Sequence, residues 1–150
     1  MAEKNDWWTS PTLTESNPPR TIIVTGRRDV ERFRSKGRYN IRVEVSWNYV
    51  PADDAGFPDY ETSKLMEEAT EAFHAGLNGK NTAIMTGIYT GDGRRDWIFY
   101  TFSTEIFGKF LNYALAPLPT LPLEIYAEND PDWAEYDEMK SLSEILPGDL

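Results

Sequence analysis

The sequence predicts an α+β fold built on an antiparallel sheet, and three observations carry that prediction. In Thr82–Phe102, two runs rich in β-branched and aromatic residues meet at Asp92-Gly93. That dipeptide suits the positive φ angles of a two-residue hairpin turn. In Ile41–Tyr49, apolar Ile41, Val43, Val45, Trp47 and Tyr49 alternate with polar Arg42, Glu44, Ser46 and Asn48, which is the period of a half-buried strand. Two segments of helical spacing, 60–78 and 104–116, flank the hairpin.

Taken in order, residues 1–18 carry Pro11 and Pro18 with several Ser, Thr and Asn, and are expected as an extended N-terminal arm. At least one of Trp7 and Trp8 should tuck onto the surface. The remainder, 19–150, is expected as a single α+β domain with its core in 40–138. Thr21–Thr25 is a short strand. Val30–Ser35 is a short helix with Asp29 as its cap and Gly37 as its stop. In the helix of 60–78, Leu65, Ala69, Phe73 and Leu77 recur every fourth residue, and Gly79 is placed to end it. Ser103 or Thr104 caps the next helix, which Pro117 and Pro119 close. Leu121–Ala127 is a strand, and Pro122 directs it to a sheet edge. Asp130 and Pro131 start a final helix through Trp133, Tyr136 and Met139, which either extends through Leu142, Ile145 and Leu146 or frays after Lys140.

The order strand 41–49, helix 60–78, strands 82–90 and 95–102, helix 104–116, strand 121–127 is the ferredoxin-like β-α-β-β-α-β pattern. It calls for a four-stranded antiparallel sheet with both helices on one face and strands 41–49 and 95–102 central. Strict alternation places Ile84, Ile88, Trp97 and Phe99 on one hairpin face and Met85, Ile98, Tyr100 and Phe102 on the other. Both faces are apolar, so the arm or the last helix should cover the second.

Composition narrows the function. The chain has 150 residues, a formal net charge of −10 and no cysteine. The charge disfavours sequence-independent nucleic-acid binding, which sets Lys and Arg against phosphate. Without cysteine there is no disulfide, thiolate metal site or Cys nucleophile. No apolar run has the length of a membrane span, and a cytoplasmic location is expected. No phosphate-binding glycine motif or compact acid/base constellation appears, so neither a cofactor nor an enzyme is expected.

The segments Ile41–Tyr49, Gly56-Phe57-Pro58, Thr86–Arg94 with Phe99-Tyr100, and Asp130–Trp133 through Tyr136 resemble the bacterial domain of unknown function 695 family, over about residues 40–138. A looser likeness is to the ribonuclease E regulator B family, small acidic proteins with a ferredoxin-like fold that bind the ribonuclease. The resemblance implies a protein partner and supplies no catalytic residue.

Two candidate sites follow. The acidic segment 124–138 begins at the expected edge strand and carries Trp133 and Tyr136 beside Asp130, Asp132, Glu135 and Asp137. Aromatics, carboxylates and a strand edge together suit a basic protein partner, though Trp133 suits an anchor for the last helix better than a partner contact. Segment 27–42 is basic, so the two runs either attract each other or each meet a partner. Arg94 and Arg95 follow the hairpin turn and suit an anion. His74, the sole histidine, falls on a polar helix face as a surface residue. Dispersed carboxylates predict no metal site. The leading expectation is a non-catalytic protein-binding module or regulator. The alternatives are an immunity protein that neutralises a toxin, and a hydrolase or small-anion binder at Arg94–Arg95.

Overall fold

A computed structural model describes residues 6–77 and 81–144. Six strands form one sheet: β1 (Trp7–Leu13), β2 (Thr21–Arg27), β3 (Ile41–Asn48), β4 (Ala83–Gly91), β5 (Arg94–Thr101) and β6 (Leu123–Asn129). The helices are α1 (Glu31–Arg34), α2 (Tyr60–Gly76), α3 (Thr104–Leu115) and α4 (Ala134–Ser143). The strand order is β1-β2-β4-β5-β3-β6, antiparallel throughout. Strands β3 and β5 are central among the four expected strands, and β6 is an edge.

The expected four-stranded sheet is extended beyond β4 by β2 and β1. The arm expected over 1–18 contributes β1, which pairs with β2 from Trp7↔Arg27 to Leu13↔Thr21. Successive residues of a strand point to opposite faces, so Trp7 and Trp8 are used on both sides of the sheet. Trp7 joins the cluster under α2 and α3, and Trp8 joins the cluster on the other face. Trp8 donates Nε1–H to Ser143 Oγ in α4 at 3.0 Å.

The first face is buried by α2 and α3. Met66, Ala69 and Phe73 of α2, and Phe107 and Leu111 of α3, lie against Val43, Val45, Met85, Trp97 and Phe99. Trp97 is fully buried, and its Nε1–H finds Thr70 Oγ1 at 2.9 Å, which removes the penalty of an unpaired indole donor. Asp59 caps α2 by accepting from Thr62 N, and Ser103 caps α3 by accepting from Ile106 N. Gly79, Ile145 and Leu146 lie outside the described residues.

The second face is covered by α4 and α1, with Val24, Tyr39, Ile84, Tyr100, Trp133, Tyr136 and Met139 in its cluster. The hairpin turn is as expected, with Asp92 at φ 52° and Gly93 at φ 80°. The expected division of its faces is corrected by a β-bulge between Met85 and Gly87. One extra residue reverses the alternation before it. Ile84 therefore lies opposite Tyr100 on the α4 face, and Met85 lies opposite Phe99 on the α2 face.

Two helix starts also differ. In α1 no side chain caps the helix, because the Asp29 carboxylate is taken by Arg27 and Arg32. α4 begins at Ala134, after a turn closed by Trp133 N–H to Asp130 O at 3.0 Å. Asp130 still caps it, accepting from the amides of Ala134 and Glu135.

Candidate functional site

The site begins at the two edges of the sheet. In an antiparallel ladder, each residue's N–H and C=O both face its partner strand or both face away, alternately. At β1, Thr14 N–H bonds to Arg20 O and Arg28 N–H to Asp6 O. Alternation from these pairs turns Ser10 and Thr12 towards β2 and Pro11 towards the open side. A proline there offers no donor, so the edge is blunted.

Among the described residues, β6 has no such guard. Asp130 N–H bonds to Asn40 O at 2.8 Å. With the register Ile41↔Asn129 to Trp47↔Leu123, alternation directs Glu124, Tyr126 and Glu128 towards β3 and leaves the backbone groups of Ile125, Ala127 and Asn129 facing outward. The remaining outward amide, at Leu123, turns back onto Leu121 O. Pro122 lies just outside the strand, and none of its seven residues is proline. Ile125 and Tyr126 are each 54% exposed, on opposite faces of this edge.

The acidic segment behind that edge is held by the basic run. Arg34 reaches both oxygens of Asp137 at 2.8 Å and Asp132 O at 2.7 Å. Arg42 bonds to Glu44 at 2.9 Å and Glu128 at 2.7 Å, and approaches Asp130 at 3.6 Å. The two runs thus attract each other within the fold. The Arg34 bond and charge hold the Asp137 carboxyl below its ordinary range.

The residues expected to form a contact surface with Trp133 divide into buried and exposed sets. Trp133 and Tyr136 are core residues. Trp133 stacks on Tyr100 at 4.2 Å between centroids and donates Nε1–H to Tyr39 O at 2.8 Å. Tyr136 donates its hydroxyl to Arg27 O. Their faces are spent inside the protein and are closed to a partner. Asp130 is buried beneath the Tyr100 hydroxyl. Burial would raise its pKa, but the Tyr100 bond and the two helix amides outweigh that and keep it low. Glu135 is half-buried, and accepts from Tyr89 OH at 2.7 Å; burial raises its pKa. Asp132 and Asp137 remain exposed.

Arg94 and Arg95 are not brought together. As neighbours in β5 they point to opposite faces. Arg94 holds Asp96 at 2.7 Å and Ser46 at 2.9 Å; Arg95 holds Thr90 at 2.8 Å and Glu67 at 3.2 Å. The turn's Gly93 amide is taken by Gly56 O. The hairpin therefore presents no paired guanidinium site for an anion.

His74 is half-buried, with its ring edge-on to Trp7 at 5.8 Å. Burial, then the Arg27 charge, lowers its pKa. A lowered folded value means that its contribution to stability is present above the ordinary 6.5 and is lost as pH falls through the folded value. Imidazole NMR should find His74 titrating below that value, and Trp7→Ala should move it back up. An unshifted midpoint in both proteins would contradict the contact. Among the described residues, no group of three or more His, Asp and Glu stands close enough to hold a metal ion. No helix there is long and apolar enough to cross a membrane.

Among the described residues, the geometry defines an α+β protein with one guarded and one open sheet edge. By comparison with protein families, residues 12–139 match the model described as Family of unknown function (DUF695), and the chain belongs to that family. Comparison with curated proteins and with solved structures gave no match. Sequence reasoning missed Ile125, Tyr126 and Ala127 as site residues. Pro122 pointed to an edge, but only the ladder shows which amides face outward.

Proposed function

We propose that this protein is a non-catalytic binding module that accepts an extended segment of another protein as a further strand beside β6. The outward backbone groups of Ile125, Ala127 and Asn129 support this reading. A long open edge is a hazard that proteins ordinarily block, and an added strand satisfies it with main-chain hydrogen bonds. Ile125 supplies apolar contact on one face and Tyr126 on the other. Exposed Glu124 and Glu128 and the net charge of −10 favour a basic segment.

The test places a photoreactive residue at Ile125 and, as a control, at exposed Tyr113 on α3. Both proteins are used in cell extract with and without Ala127→Pro. The proline removes an outward amide but no bond to β3, so melting should change little. Capture of a defined partner segment at Ile125, weakened by salt and lost with Ala127→Pro, is expected. Equal capture at Tyr113, or capture indifferent to Ala127→Pro, refutes strand addition.

A further inference from the structure

We infer that the groove between the end of β1 and α4 binds an aliphatic ammonium ion, with Glu135 as its anionic partner. This groove lies at the opposite edge of the sheet from β6, so the inference is independent of strand addition. Its volume is about 310 Å³, and its lining includes Leu13, Glu15, Tyr89, Glu135, Glu138 and Leu142.

The first observation is an unpaired atom. Glu135 Oε1 accepts from the Tyr89 hydroxyl, while Oε2 is shielded from solvent and has no hydrogen-bond partner. A carboxylate offers about four acceptor positions, and Tyr89 fills one. Leaving a buried carboxylate oxygen unpaired is costly, and a cationic donor removes that cost. The last torsion of a glutamate is soft, so the group can turn towards the groove while keeping a bond to Tyr89. Glu15 and Glu138 add negative charge, and no Lys or Arg among the described residues lines the groove; the Arg42 charge reaches Glu135 from outside it.

The second observation is apolar. Leu13 and Leu142 are 64% and 70% exposed, and both line this groove. Val24 and Met139 line it as well. A charged head against Glu135 and a short hydrocarbon body against these side chains match the two kinds of surface present. A divalent metal ion does not match, since it demands several oxygen ligands and no carboxylate trio here is close enough to supply them.

The experiment is an amide-shift NMR titration of the full chain with butylammonium chloride, with sodium chloride and 1-butanol as controls. Saturable shifts in Tyr89, Glu135 and Leu142 are expected with butylammonium alone. Glu135→Gln retains an acceptor for Tyr89 and should weaken binding about tenfold or more. Leu142→Asn alters an exposed residue, so it tests the site even if the first variant folds poorly. It should weaken butylammonium but leave methylammonium unchanged. Butylammonium that binds no better than 1-butanol, or that ignores both substitutions, overturns the inference. Nα-acetyl-lysine methylamide and 1,4-diaminobutane then separate the sources. Tighter binding of the first points to a lysine side chain of a partner, and of the second to a free diamine.

Discussion

Trp133→Ala will lower stability by about 3–5 kcal/mol, the usual cost of deleting a large buried aromatic ring. Trp133 is 1% exposed, stacked on Tyr100 and bonded through its indole to Tyr39 O. Its truncation opens a void between the sheet and α4 and orphans an acceptor. It also leaves an alanine at φ 57°, a left-handed conformation that the ring's packing now holds in place. Urea denaturation followed by circular dichroism measures the change. A loss below about 1 kcal/mol would place the ring outside the core and reopen Trp133 as a partner contact.

Asp130→Ala is expected to cost about 3 kcal/mol, because one buried carboxylate serves several donors. Tyr100 OH at 2.7 Å and the amides of Ala134 and Glu135 all bond to it, and Arg42 lies 3.6 Å away. Removing it leaves those donors unpaired and uncaps α4. Asp130→Asn keeps an acceptor and should cost less. The pH dependence has a definite sign. The folded pKa lies below the ordinary 3.8, so the contribution is present above that value and is lost as pH falls through the folded one. Denaturation between about pH 5 and pH 2 should therefore show a shallower acid-side loss in Asp130→Asn than in the parent. Equal slopes would assign the acid sensitivity elsewhere, with Asp137 the next carboxyl to test.

Much of the fold was legible because local patterns there agree with the tertiary outcome. The alternation of Ile41–Asn48, the fourfold spacing from Leu65 to Phe73 and the Asp92-Gly93 turn each describe the element that forms. The extra strand β1 was not legible, since Pro11, with Pro18 and the Ser and Asn residues after it, reads as a loop signal and masks the strand preference of Trp7, Trp8, Thr9 and Thr12. It is a strand because β2 offers a partner edge and both Trp rings find cover.

The amino-acid sequence alone determined the α+β class, the hairpin, the two long helices and the edge position signalled by Pro122. The tertiary structure decided three further points. The bulge between Met85 and Gly87 set which hairpin side chains meet α2, because one unpaired residue reverses a period of two. Packing decided that Trp133 and Tyr136 are core, since an aromatic beside carboxylates reads alike whether its face is covered or free. Hydrogen-bond phase, carried by Asp130 N–H to Asn40 O, decided which groups of β6 point outward. That phase depends on how two strands distant in sequence are aligned, and such alignment exists only once the sheet has formed.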